Sequence, residues 1–455
     1  MTVPMTYAAH LRAILTLGLP LIGGHLAQFV IGLTDTVMLG WYGIEDLAAV
    51  TLAHGYFFAI FMFGSGFAMA VMPMVATAAG MGDTQGIRRS TRMGLWLSFA
   101  FGLLVLPTML GSGTLLRLLG QEGQVADLAA SYLRMAGWGL FPALLVMVLK
   151  SYLAALERTR VVLWITLMSA ATNALVNYVL IFGHWGAPEL GALGAAIASV
   201  ATQTVALLAV VLYASRIRKH MLFRRLWRPD WEMFARVFRL GLPIGLTLLS
   251  EVSLFAASAF MMGWLGAVPL AAHGIVMTVT SATFMVHLGL SNVATIRTGN
   301  AFGRGNRAHM RRGALAVCVL SLAFAICTIT AFLVLPDPIL ALFLDSADPA
   351  RPEVMATGVT LLALAALFQL VDGAQVIALG LLRGVQDTAV PMVVAVLSYW
   401  AVGIPASYIL GFRAELGATG IWLGLTCGLA CAGTFLMLRF WSRAIGRVPQ
   451  AMPAV

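Results

Sequence analysis

Twelve apolar runs, each long enough to cross a bilayer, dominate this chain. They cover roughly residues 13–39, 47–78, 93–115, 128–153, 161–183, 191–214, 235–264, 270–297, 313–336, 354–382, 391–412 and 418–442. A hydrocarbon core about 30 Å thick takes about 20 helical residues. The polar complement is too small for any other environment. Charged residues are 10% of the chain, against about 25% in a soluble domain, while 60% of residues are hydrophobic and mean hydropathy is +0.93. The expected fold class is therefore an all-α integral membrane protein of twelve transmembrane helices.

The net charge of +10 could suggest nucleic acid, but its distribution argues for membrane topology and against a nucleic-acid partner. Arg88, Arg89 and Arg92 follow the second run. Arg158 and Arg160 follow the fourth, and Arg216, Arg218, Lys219, Arg224, Arg225 and Arg228 the sixth. Arg304, Arg307, Arg311 and Arg312 follow the eighth, Arg383 the tenth, and Arg443 and Arg447 the last. The odd-numbered connections carry Glu45, Asp46, Glu122, Asp127, Glu189, Asp337, Asp345 and Asp348, with few arginines, Arg117, Arg351 and Arg413. By the positive-inside rule both termini and all even connections are cytoplasmic, with anionic lipid headgroups as neighbours. The first run lacks the flanks of a removable signal peptide and is expected to be a mature helix. Cys318, Cys327, Cys427 and Cys431 lie in apolar runs without metal-ligand spacing and read as small packing residues.

The halves are copies. Leu17-Gly-Leu-Pro20 recurs as Leu240-Gly-Leu-Pro243, an offset of 223. At that offset Gly40-Trp41 becomes Gly263-Trp264, Leu47-Ala48-Ala49 becomes Leu270-Ala271-Ala272, Gly82 becomes Gly305, and Arg88-Arg89 becomes Arg311-Arg312. Six spans per copy is an even number, so the repeats are parallel, related by an axis along the membrane normal. The expected organisation is an N-terminal six-helix lobe over 1–215, a basic cytoplasmic linker over 216–239 and a C-terminal lobe over 240–455, around a central cleft. A duplicated transporter holds its symmetry within one chain, so a monomer is expected.

Three acids stand inside apolar runs: Asp35, Glu251 and Asp372. A charge at the bilayer centre costs about 2.5–3.5 kcal/mol on insertion scales, so each should face a partner or a cavity. Buried bases available for simple pairing are Arg134, Lys150 and Arg297. The functional reading is ion coupling. Desolvation favours a neutral carboxyl group, which can then exchange a proton near neutral pH; alternatively Na⁺, a hard cation, can take the oxygens of Asp35, Glu251 and Asp372. Asn173 and Asn177, four apart on one helical face, can supply amide oxygens. Gln28 occupies the repeat position of Glu251. Asp35, Gln28, Glu251 and Asp372 are the candidates for substrate contact. His25, His54, His273 and His287 read as hydrogen-bonded structural histidines rather than proton relays. Gly80-Met-Gly82 and Gly299–Gly305 lack the strand and the Gly-Lys-Ser/Thr ending of a phosphate loop and read as tight turns. No nucleophile–base pair, metal cluster or nucleotide loop is visible, so neither enzymatic chemistry nor a cofactor is expected beyond the coupling ion, H⁺ or Na⁺.

Pro20 ahead of Asp35-Thr-Val-Met-Leu-Gly40, Gly82-Asp83 with Arg88-Arg89, Leu156-Glu-Arg-Thr159 followed by Asn173 and Asn177, and Gly384-Val-Gln-Asp-Thr388 with Pro391 together resemble the multidrug and toxic compound extrusion (MATE) transporters. Glu251 and Asp372 make the chain similar to the NorM-like branch. The resemblance implies an antiporter of the bacterial inner membrane that exports cationic amphipathic drugs in exchange for Na⁺ or H⁺. It implies cation-coupling roles for Asp35, Asn173 and Asn177 in the first lobe and for Glu251 and Asp372 in the second. One departure is that Asn177 is neutral where some members carry an acid. Another is Ala195, where a hydroxyl can complete an ion shell; Ser199 or Thr202 are the nearest substitutes. The alternative function is a lipid-linked precursor flippase on a related scaffold, which calls for buried cations in the cleft. A membrane sensor or assembly protein without transport is a third, in which the buried acids would be dispensable.

Overall fold

The computed structural model describes residues 5–118, 120, 123–346 and 348–447; Glu122, counted above among the connection acids, lies outside them. Each of the twelve runs is a helix long and apolar enough to span a membrane: α1 Tyr7–Tyr42, α2 Ile44–Met81, α3 Thr84–Leu110, α4 Gly123–Ala155, α5 Thr159–Phe182, α6 Gly191–Ser215, α7 Trp231–Leu265, α8 Ala267–Gly303, α9 Arg307–Val334, α10 Arg351–Gly384, α11 Ala389–Arg413 and α12 Gly417–Arg447. The protein is a multi-pass membrane protein. Trp41 and Trp264, at matching span ends, are 75% and 69% exposed, as expected of interfacial anchors. The cysteines are unbonded, and Cys327 and Cys427 are exposed rather than packed.

The repeat extends to the backbone. α2 ends at Gly82 and α8 is followed by Gly305, with φ of 73° and 64°, a left-handed conformation that favours glycine. In each case the next residue's N–H reaches back five residues, from Asp83 to Ala78 at 2.8 Å and from Asn306 to Ala301 at 3.0 Å. That residue then caps the next helix. Asp83 accepts from the Gly86 N–H at 2.8 Å and Asn306 from the His309 N–H at 2.9 Å, satisfying donors that a helix start leaves open. The turns after α4 and α10 match as well. Glu157 and Gln386 have φ of 60° and 59°, and Arg158 and Asp387 bond back to Leu153 and Leu382 at 2.9 and 3.0 Å.

From these turns the copies tie to their sixth helix with different chemistry. Arg158 donates to the Tyr213 hydroxyl at 2.6 Å, whereas Asp387 accepts from Arg439 at 2.9 Å, with both side chains largely buried at 8% and 12% exposure. Removing one partner of a buried ion pair strands the other charge and costs about 3–5 kcal/mol. Asp387→Ala is therefore expected to lower the thermal unfolding midpoint clearly in detergent, and Arg158→Ala only slightly; equal midpoints for the two variants would contradict the assignment.

The compact units do not follow the repeat boundary. One unit is Gly23–Gly245; the other is Met1–Ile22 together with Leu246–Val455. These units differ from the repeat-based lobes of 1–215 and 240–455 by exchanging the first turns of α1 and α7. The first turns of α1 pack with the C-terminal copy, and those of α7 with the N-terminal copy. The physical cause is a pair of glycine contacts at the repeat offset. A Cβ on Gly66 of α2 would lie 2.3 Å from the Gly245 nitrogen of α7, and a Cβ on Gly289 of α8 would lie 3.0 Å from the Ile22 backbone of α1. Helix backbones approach this closely only through small residues.

The linker is shorter than expected, ending at Asp230 because α7 begins at Trp231. It is fastened within the Gly23–Gly245 unit. Arg92 donates to the carbonyls of Arg225 and Arg228, and the Trp96 indole N–H donates to Leu226 at 2.8 Å. Arg89 forks onto Asp230 at 2.5 and 3.1 Å, and this hydrogen-bonded guanidinium holds the Asp230 carboxyl below the usual carboxylate range. A depressed acid stabilises the fold above its unfolded value of about 3.9, and that contribution is lost as pH falls through the lower folded value. Arg89→Gln should return Asp230 to the ordinary range. Given partial exposure, the loss is about 1 kcal/mol, read as about fivefold faster tryptic cleavage in the linker. An unchanged cleavage rate would show that the tie does not hold the linker.

Candidate functional site

Each unit contains one polar cluster built around a candidate acid. In the Gly23–Gly245 unit, Asp35 projects from α1 towards α5. The Asn177 side-chain N–H₂ donates to the Asp35 carboxylate at 2.5 Å and to the Asn173 carbonyl oxygen at 3.2 Å. One helical turn separates the amides, so a single face of α5 presents both. Asn173 and Asn177 are 1% and 0% exposed, and the Asn177 amide oxygen is buried without a hydrogen-bond partner. Tyr132 of α4 faces the same carboxylate and shares a hydrogen bond with Ser199 of α6. Thr202 turns its hydroxyl back to the Ala198 carbonyl at 2.7 Å. Of the two hydroxyls considered as substitutes at Ala195, Ser199 is thus the one that reaches the cluster, through Tyr132. Gln28 is exposed on α1, whereas its repeat partner Glu251 is half-buried on α7.

In the other unit, Glu251 of α7 lies within electrostatic reach of Asp372 and Arg383 of α10 and of Tyr399 of α11. Asp372 is 2% exposed and Gln369 and Gln375 are fully buried. Three residues apart, these side chains form one polar stripe on α10. Both polar atoms of Gln369, one oxygen of Asp372 and the Gln375 oxygen are buried without hydrogen-bond partners. The Gln375 amide N–H₂ donates to Tyr399 at 2.5 Å. Tyr399 sits in the π-helical stretch Ser398–Gly403 of α11, a widened turn of the kind found at functional positions. An unpaired buried polar atom costs about 1–3 kcal/mol, so four in one stripe mark a place built for a polar guest.

Arg383 needs correcting. Counted above as a connection residue, it lies inside α10, 6% exposed, as the counter-charge near Glu251. The bases proposed as partners for the acids are engaged elsewhere: Lys150 donates to the Thr166 hydroxyl at 2.9 Å, Arg134 to the Ala130 carbonyl at 3.2 Å, and Arg297 to His10 at 3.0 Å. His273 accepts from the Trp422 indole at 3.1 Å and His287 pairs with Ser321 at 2.8 Å, both structural bonds. Among the described residues no group of three or more His, Cys, Asp or Glu is arranged to hold a metal ion. The stripe on α10 was visible as Gln-x-x-Asp-x-x-Gln, a spacing of three that marks a helix face. Tyr132, Tyr399 and Arg383 had no such signal, because their partners come from other helices.

The duplicated six-span design with a buried acid cluster in each unit defines a twelve-helix membrane protein of the two-repeat transporter fold. The sequence profile of the MatE family matches residues 20–179 and again 243–409, two copies starting at the offset of 223 read from the sequence (243 minus 20). The chain is 44% identical to the probable multidrug resistance protein NorM of Rhizobium meliloti (strain 1021), over 99% of this chain and 97% of that protein. It is 42% identical to the protein of the same description from Agrobacterium fabrum, over 96% and 94%. Its fold superposes with a TM-score of 0.88 on the outward-facing conformation of a multidrug resistance MATE family transporter, covering 96% of each chain at 21% identity. The chain belongs to the MatE family, in its NorM-like branch.

Proposed function

We propose that the protein is a multidrug efflux transporter of the bacterial inner membrane, with both termini cytoplasmic. It exports cationic amphipathic compounds as a monomer by alternating access, coupled to entry of H⁺ or Na⁺. The observation that carries this reading is the pairing of buried carboxylates with unpartnered amide oxygens, once around Asp35 and once around Asp372. Buried acids that keep free acceptor atoms suit a cation that comes and goes. A purely structural acid would have all its acceptors filled. The names of the 44% and 42% identical relatives support drug export.

In this cycle the acids bind the coupling ion when open to the outside and an organic cation when open to the inside. The two compete for the same negative charge, so the ion's differential affinity for the two states drives export. The Asn177 N–H₂ orients the Asp35 carboxylate, and the amide oxygens of Asn173 and Asn177 are available to a bound cation. Arg383 lies within electrostatic reach of Glu251 and offsets part of the negative charge of the Glu251–Asp372 pair while no cation is bound. The buried cation that a lipid-linked precursor flippase would need is thereby matched by an acid. The test uses liposomes loaded with a fluorescent organic cation under a proton gradient or a sodium gradient, imposed separately. Movement under one gradient alone names the ion; movement under neither overturns the antiporter reading.

A further inference from the structure

The ends of α1, α8 and α9 meet in a cluster that the transport reading does not use. His10, in the first turn of α1, is fully buried. Arg297 of α8 reaches His10 Nδ1 at 3.0 Å and His309 Nε2 of α9 at 3.4 Å through one guanidinium nitrogen. The two imidazoles face each other with ring centroids 4.6 Å apart. Beside them Arg312 donates to the Met5 carbonyl at 3.1 Å and lies over the Tyr7 ring. All these residues lie in the unit that joins Met1–Ile22 to Leu246–Val455.

An arginine has N–H donors and no acceptor, so both ring nitrogens facing Arg297 must offer lone pairs. The bonds therefore exist only while both histidines are neutral. A proton on either facing nitrogen removes the acceptor and sets an imidazolium against a guanidinium. The charged groups facing the two rings are Arg297 and Arg312 for His10, and Arg297 and Arg304 for His309. All are cations, so no facing carboxylate compensates for the added charge.

We propose that His10, Arg297 and His309 form a proton-sensitive latch that fastens the first turns of α1 to α8 and α9 at neutral pH and releases them on acidification. The orientation proposed above puts this latch on the cytoplasmic side, apart from the buried acids, and its facing cations mean that only strong acidification opens it.

The test is amide hydrogen exchange of residues 5–19 in the intact protein in nanodiscs at pH 8 and pH 3.5, corrected for intrinsic rates. Wild type should exchange about tenfold faster in this segment at the lower pH. The double variant His10→Gln, His309→Gln keeps an acceptor at each position but cannot titrate, and should stay slow at both. Arg297→Gln should be fast at both and keeps the test decisive if the double variant folds poorly. Equal protection of wild type at the two pH values, or acid release that persists in the double variant, would overturn the latch. The readout requires no transport, so its failure is distinct from failure of the antiporter reading.

Discussion

Asp372→Asn and Glu251→Gln are each expected to abolish gradient-driven export of an organic cation from proteoliposomes while leaving the protein folded. Each replaces a carboxylate by an isosteric amide in a cluster that already contains unpartnered polar atoms, so packing is preserved and only the exchangeable charge is removed. A drop of about 100-fold corresponds to about 2.8 kcal/mol, within the range for deleting one member of a buried charge pair. Asp35→Asn should have the same sign, with Asp35→Glu recovering part of the activity because the carboxylate survives. Arg383→Gln separates charge from structure. It leaves Glu251 without its counter-charge and should shift the pH or sodium dependence of transport, not erase it. Transport at the wild-type rate in Asp372→Asn, Glu251→Gln and Asp35→Asn would remove the coupling role from all three acids.

Gly66→Ala and Gly289→Val should each cost about 3 kcal/mol or more, the upper range for overpacking a close contact. The Gly66 case is the sharper. Its added methyl would meet the Gly245 nitrogen and Cα at 2.3 and 2.5 Å and the Gly241 carbonyl at 2.6 Å, all backbone atoms that cannot rotate away. α7 would have to move off α2. Loss of the monodisperse peak in detergent chromatography, or a thermal midpoint lowered by several degrees, is the expected result. Melting at the wild-type temperature would mean that the helices can separate at no cost. Gly32 and Gly55 have nothing within 4 Å of an added Cβ and serve as controls in which alanine should be silent.

The fold was legible because the bilayer reduces it to counting. Run length gave the spans, arginine placement suggested the sidedness, and Gly82 and Gly305 fixed the duplication and two turns. The acids were legible because a charge in an apolar run is conspicuous, and the α5 amides because they share a helical face. What stayed hidden involves partners far apart in sequence. Arg383 sits next to a turn and reads as a cytoplasmic anchor until α7 brings Glu251 near it. Gln369 and Gln375 share a helix face with Asp372 by spacing, but only their burial shows that polar atoms on both lack partners. The exchange of the first turns of α1 and α7 was equally hidden, since the shared Leu-Gly-Leu-Pro at 17–20 and 240–243 gives no sign of which copy each segment joins.

That exchange sets an order of assembly as the chain is made. The Gly23–Gly245 unit is complete once Gly245 has been synthesised. The first turns of α1 meet Gly289, Leu290 and Val293 only once α8 has been made. The ribosome thus finishes the second-starting unit first, and the opening residues of the chain must wait in the membrane for more than half of synthesis. Two fragments divided in the linker would each lack a segment held by the other. They should be unstable alone and recover when produced together, so the linker joins two parts that already depend on each other.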